Sequence, residues 1–166
     1  MLHFGTSRTR PVSLCLVTAP PDPRAIGRAA TLAFMQGRVR PRRNRVILFA
    51  PDVALADMPV STVFEVQRKL AWLQEAAGVY RQMTSMLVSE DPGLDVVAET
   101  FRAAWQATRV SIPPRILTSA TLAEAAEIIA LPSLEADFAP LLAEARAERR
   151  RFSVAKSGES GRPERE

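Results

Sequence analysis

The chain has 166 residues and a mass of 18.2 kDa, with 47% hydrophobic and 24% charged residues, which is typical of one soluble globular domain. Its single cysteine, Cys15, excludes an internal disulfide, and its single histidine, His3, argues against histidine-based metal or triad chemistry. The net charge of +4 is uneven, because residues 1–45 hold nine arginines and one acid while residues 46–166 are net negative.

The first half of the chain alternates short apolar runs with a helical pattern. Residues 12–19 form a β-rich run that ends at two prolines, and residues 45–50 form a second such run. Between them, Asp22 is an N-cap followed by a proline, and apolar spacing predicts a helix over 23–36. Residues 2–4 are a candidate short strand ahead of the first run.

The middle of the chain repeats this alternation. Thr62 and Glu65 have the spacing of a capping box, followed by apolar residues in steps of three and four. Residues 83–88 predict a third strand, and the stripe over 94–108 predicts a helix that stops before two prolines.

The last third predicts a short strand over 115–118 and a helix capped by Thr121 and Glu124. A further amphipathic segment follows, and Pro140 predicts a kink or two short pieces there.

Together these elements predict an α/β fold. We expect a small mixed or parallel sheet of about four to five strands with alternating helices and an extra C-terminal helix. The sequence divides into an α/β domain over 1–131, an amphipathic helical extension over 132–151 and a polar tail over 152–166, which we expect to be disordered.

The stretch from 22 to 131 resembles the STAS-like domain, the fold of bacterial anti-sigma-factor antagonists. The likeness rests on the helix starting at Asp22, the strand at 45–50, the loop with Asp57 before a helix, and the strand and helix over 113–129. The resemblance implies a STAS-like sheet and a non-catalytic regulatory or interaction function.

In regulatory members of that family, the second helix starts with an Asp-Ser pair whose serine is phosphorylated by a partner kinase. The matching positions here are Asp57 and Met58, so the usual hydroxyl acceptor is missing. The chain therefore resembles the branch without a phosphosite, and the resemblance implies protein docking around this loop. The candidate partner-binding residues are Asp57, Met58, Ser61, Glu65 and Trp72.

Trp72 joins this set because it does not lie on the apolar face of its helix, which the residues in steps of three and four form. The alternative is that the C-terminal helix covers it. The segment over 133–150 has one apolar side, so it either folds back on the sheet or meets a second copy in a homodimer.

Two other functions stay open at this stage. The first is the binding of a small apolar ligand, for which the candidate pocket residues are Met58, Met83, Met86 and Phe101. The second, weaker one is nucleic-acid binding through a basic patch of Arg38, Arg40, Arg42, Arg43 and Arg45. No aromatic residue interleaves these arginines, so the stacking component of single-strand binding is missing.

The sequence offers no catalytic constellation. It has no Gly-rich phosphate loop, and no cysteine or histidine stands at metal-ligand spacing beside a carboxylate cluster. We therefore predict no enzymatic activity, no metal and no cofactor. No run approaches the ~20 apolar residues of a membrane span, and residues 1–10 lack the apolar segment of a signal peptide, so we expect a cytoplasmic protein.

Overall fold

A five-stranded mixed sheet forms the centre of the protein. The computed structural model describes residues 2–7, 10, 12–19, 22, 24–25, 27–29, 31–32, 45–51, 53–55, 59–61, 64, 68, 72, 84–107 and 114–159. Its elements are, in chain order, β1 (Leu2–Thr6), β2 (Val12–Val17), β3 (Arg45–Phe49), β4 (Thr84–Val88), α1 (Leu94–Ala107), β5 (Arg115–Ser119), α2 (Leu122–Ile128), α3 (Leu134–Asp137) and α4 (Ala139–Glu159).

The strands lie side by side in the order in which they occur along the chain. β1 pairs antiparallel with β2, and β2 through β5 are parallel. This arrangement confirms the predicted α/β fold with a mixed sheet. It also explains the continuous apolar run of β2, because all six of its residues are buried between two covered faces.

All three connections between the parallel strands contain helical residues, and the last of them contains α1. Between β2 and β3, the described residues from 24 to 32 are helical, which agrees with the predicted helix. Between β3 and β4, helix is already present at Val60 and Ser61, ahead of the cap predicted at Thr62. The capping-box pattern thus marks the start of this helix to within about two residues, an ordinary uncertainty for a helix boundary.

Alternating strand residues divide the core into two clusters, one on each face of the sheet. Leu87 belongs to a cluster with Leu94, Val97 and Trp105 of α1. Its neighbours Met86 and Val88 point to the other face, where the second cluster takes its helical members from α2 and the residues after it. The helix before β5 and the helix after it therefore cover opposite faces.

Local hydrogen bonds fix α2 as the sequence predicts. Thr121 Oγ1 accepts from the Glu124 amide at 3.2 Å, and Glu124 Oε2 accepts from the Ala120 amide at 2.9 Å. At the other end, Ala130 adopts a left-handed φ of 52°, and the Leu131 amide donates to the Ala126 carbonyl at 2.8 Å. This is the six-to-one bond of a Schellman motif, with alanine where glycine is usual.

The C-terminal segment divides into two helices. The break falls at Phe138, and Pro140 occupies the first turn of α4, where a missing amide hydrogen has no cost. The predicted interruption is confirmed, but α4 is 21 residues long and continues through 152–159, where the sequence predicted the start of a disordered tail. Between Pro140 and Gly158 the chain contains no proline or glycine that would end a helix.

α4 lies against the edge strand β1. A Cβ atom on Gly5 would stand 3.1 Å from Leu141 Cδ2, so only glycine leaves Leu141 its present position. At one end of this contact Ser7 Oγ donates to Asp137 Oδ2 at 3.1 Å, and at the other His3 Nε2 lies 3.1 Å from Glu148 Oε2. The His3–Glu148 contact has the distance of an ion pair, although its geometry is not that of a hydrogen bond.

Candidate functional site

Between β3 and β4 the structure describes helical residues at 60, 61, 64, 68 and 72, and all five are exposed. Val60 is 57% exposed, Phe64 47% and Trp72 62%, and the exposed Arg68 lies between the two aromatic residues. Residues four apart are neighbours on a helix surface, and positions 60, 64, 68 and 72 have this spacing. We call Val60, Phe64, Arg68 and Trp72 the exposed stripe.

The exposed stripe differs from ordinary surface residues because its large apolar side chains are close together in the sequence. Single exposed apolar side chains are normal on any protein, whereas contiguous ones mark contact sites. Burying a large apolar side chain stabilises a complex by roughly 1.5–3 kcal/mol, and tryptophan and arginine are enriched among residues that dominate binding energies. The exposed stripe therefore has the composition of a protein contact.

The predicted partner-binding residues are only in part within the described structure. Ser61 is exposed in the first turn of the helix, one residue from Val60 of the exposed stripe. Trp72 is exposed, and the alternative that the C-terminal helix covers it is wrong. Asp57, Met58 and Glu65 lie outside the described residues.

Sequence reasoning missed Val60 and Arg68 as members of this surface. The capping-box pattern places the cap of this helix at Thr62, two residues after Val60, and gives no role to Val60. The spacing of four among positions 60, 64, 68 and 72 was the signal that connects them.

The structure does not bring the described ligand-pocket residues together. Met86 is buried in the cluster under α2, whereas Phe101 of α1 packs against the cluster on the opposite face of the sheet. Because the sheet separates the two side chains, they cannot line one cavity. Met58 and Met83 lie outside the described residues.

Of the predicted basic patch, Arg45 is the member that the structure describes. It begins β3, and its Nη1 donates to the Ile129 carbonyl at the C-terminal end of α2. A cation is stabilised there by the negative end of the helix dipole, which gives Arg45 a role in the fold. The other four, Arg38, Arg40, Arg42 and Arg43, fall outside the described residues.

The side chains of Cys15, Asp91 and Glu124 all serve the fold. Burial raises the pKa of the Cys15 thiol from 9.0 to about 12, which keeps it protonated and unreactive at neutral pH. Asp91 Oδ1 accepts from the Gly93 amide at 2.8 Å at the start of α1, and Glu124 caps α2 as described above.

Neither a metal cluster nor a membrane helix is found within the described ranges. No group of three or more histidine, cysteine, aspartate or glutamate side chains there is placed to hold a metal ion. Of the helices described, none combines the length and the apolar character needed to cross a bilayer.

Comparison with family models, with curated proteins and with solved structures finds no match to this chain. The STAS-like resemblance therefore stays a prediction from local sequence pattern, and the functional argument depends on the surface of the protein itself.

Proposed function

We propose that this chain is a non-catalytic interaction domain of STAS-like layout that binds a protein partner through the helix starting at Val60. The observation that carries the proposal is the exposed stripe: three large apolar side chains and one arginine, each four residues from the next and open to solvent. The partner presents an apolar surface for Phe64 and Trp72 together with an acidic group for Arg68.

The parallel strand order supports this choice of surface. Right-handed crossovers between sequential parallel strands place their connections on one face of the sheet. Leu55, from the same connection as the exposed stripe, packs in the cluster that contains α1, which agrees with that placement.

The mechanism is occlusion of a partner surface without a phosphoryl switch. In the resembled family the switch depends on a serine at the start of this helix, and the matching residue is Met58. A thioether cannot accept a phosphoryl group, so binding is controlled by the concentrations and affinities of the two proteins.

Site-directed photocrosslinking in cells tests the proposed surface. A photoreactive phenylalanine analogue at Phe64 should give a crosslinked product with one partner protein. The same analogue at Val96, which is 70% exposed on α1, is the matched control and should give no such product. Equal products from both positions, or none from Phe64, would contradict the proposal.

Affinity measurements with the crosslinked partner are the second test of this surface. Trp72→Ala should weaken binding at least thirtyfold, which corresponds to about 2 kcal/mol for a residue that dominates an interface. Glu65→Lys and Asp57→Arg test the loop and helix start in the same assay, with an unchanged melting temperature as the folding control. Binding that survives all three substitutions rules out this docking surface.

A further inference from the structure

The outer edge of β1 carries backbone groups that point away from the sheet. The Ser7 amide donates to the Val12 carbonyl at 3.0 Å, and Gly5 and His3 stand opposite Leu14 and Leu16 in the same register. Because antiparallel pairs alternate between hydrogen-bonded and open ones, Gly5 and His3 bond to β2. The amides and carbonyls of Leu2, Phe4 and Thr6 therefore face outward.

The opposite edge of the sheet is closed by a side chain. The Ser89 amide donates to the Ser119 carbonyl at 3.1 Å, so Ser119 faces β4 and its alternate neighbours Ile116 and Thr118 face outward. The Arg102 guanidinium of α1 donates to the Ile116 carbonyl at 3.2 Å. An arginine on the outward carbonyl blocks the addition of another strand there.

β1 lacks three features that often protect an edge strand, namely a charged residue, a proline and a bulge. Its sequence, LHFGT, contains no lysine, arginine, carboxylate or proline, and its register with β2 continues over all five residues without a bulge. No described strand pairs with its outer side.

We infer that β1 pairs with β1 of a second copy of this chain in an antiparallel, two-fold arrangement. The outward residues are symmetric about Phe4, so a two-fold axis there places Phe4 opposite Phe4 and Leu2 opposite Thr6 of the second copy. This register forms about six backbone hydrogen bonds. It also sets His3 opposite Gly5 of the second copy.

The length of α4 supports a second copy of this chain as the partner of β1. α4 follows β1 from Leu141 against Gly5 to Glu148 beside His3, and then continues to Glu159. Its 21 residues span about 31 Å, whereas β1 spans about 17 Å. The excess length extends past Leu2, toward the side where the two-fold axis places the hairpin of the second copy. Two α4 helices then lie side by side and add contact area that five-residue strands alone do not supply.

The test measures the mass of the full chain in solution by sedimentation equilibrium over a concentration series. The wild-type protein should be a dimer, with twice the monomer mass of 18.2 kDa. Phe4→Glu and Phe4→Lys each place a charge opposite its own copy, and each should raise the dimer dissociation constant at least tenfold. A mixture of the two variants places opposite charges across the axis and should form a heterodimer.

The mixture separates a lost interface from a lost fold, because misfolded variants would not regain association with each other. Thr118→Glu on the opposite edge is the matched control and should leave the mass unchanged, as should Trp72→Ala. A monomeric wild-type protein, dimers in both Phe4 variants, or a mixture that stays monomeric would overturn the inference. So would a dimer that is lost in Thr118→Glu or Trp72→Ala. Because this interface does not use the exposed stripe, either proposal can fail without the other.

Discussion

The two tryptophans lie on two crossover helices of one sheet and meet opposite environments. Trp105 of α1 is 4% exposed and belongs to the core cluster with Leu94 and Val97. Trp72, on the preceding crossover, is exposed together with Phe64 of the same helix. Tryptophan thus packs in the core on one helix and faces solvent on the other. The difference depends on whether its position falls on the apolar face of the helix that packs against the sheet.

This contrast shows where binding energy is available. Burial of Trp105 already stabilises the native state, so its removal costs stability. The apolar surface of Trp72 stays in water in the isolated domain, and its burial remains available to a complex.

The largest expected effect is the difference between the two alanine variants. Trp105→Ala should lower the free energy of unfolding by about 3–5 kcal/mol, because it leaves a cavity in the core. Trp72→Ala should change it by less than about 0.5 kcal/mol, as is usual for exposed positions. Urea denaturation followed by far-ultraviolet circular dichroism measures both.

If Trp105→Ala does not fold, single-tryptophan variants give the same comparison. Trp105→Phe leaves only Trp72, whose emission should be strongly quenched by acrylamide. Trp72→Phe leaves only Trp105, whose emission should lie at shorter wavelength and resist quenching. Equal quenching of the two would contradict the contrast.

The buried core, which contains the Cys15 thiol, predicts a loss of stability at alkaline pH. Burial raises the pKa of the Cys15 thiol from 9.0 to about 12, so between these values the unfolded chain loses a proton that the folded chain keeps. Deprotonation therefore favours unfolding, and this site should lower stability by roughly 1 kcal/mol from pH 10 to pH 11.

Comparison of the wild type with Cys15→Ala isolates this contribution, because tyrosine and lysine titrate equally in both proteins. The difference in unfolding free energy between the two should shrink as the pH rises above 9. A difference that stays constant up to pH 11 would show that the thiol is not sealed in the core.

The smallest expected effect shows that an exposed position is not always neutral. Ala130 is exposed like Trp72, but its φ of 52° is in the left-handed region. Ala130→Gly should raise the unfolding free energy by about 1 kcal/mol, because glycine adopts this conformation without strain. Ala143→Gly, at an exposed position inside α4, is the control and should lower it by about 1 kcal/mol. Equal signs for the two would contradict the assignment of strain to Ala130.

Most elements could be predicted from the sequence because their signals are local. Apolar runs gave β2 to β5, the Thr121–Glu124 spacing gave the start of α2, and Pro140 gave the break near Phe138. Strand order could not be predicted, because pairing depends on contacts between residues far apart in the chain. The position of His3 beside Glu148 was inaccessible for the same reason.

The candidate site was predictable only in outline. Helical spacing placed Trp72 away from the apolar face of its helix, but whether another element covered it depended on where the C-terminal helix packs. In the structure α4 packs on β1 instead, with Leu141 against Gly5 and Glu148 beside His3. Residues Asp57 and Glu65 remain predictions of the resemblance.

The seating of α4 on β1 has a consequence for the order of folding during synthesis. Because the strands pair in chain order, each new strand can join the sheet as it leaves the ribosome. The face of the β1–β2 hairpin that contains Gly5 is covered by Phe138 and Leu141, which are made more than 130 residues later. The first part of this domain to be translated is therefore the last to be sealed, and an unfinished chain exposes apolar surface there until α4 arrives.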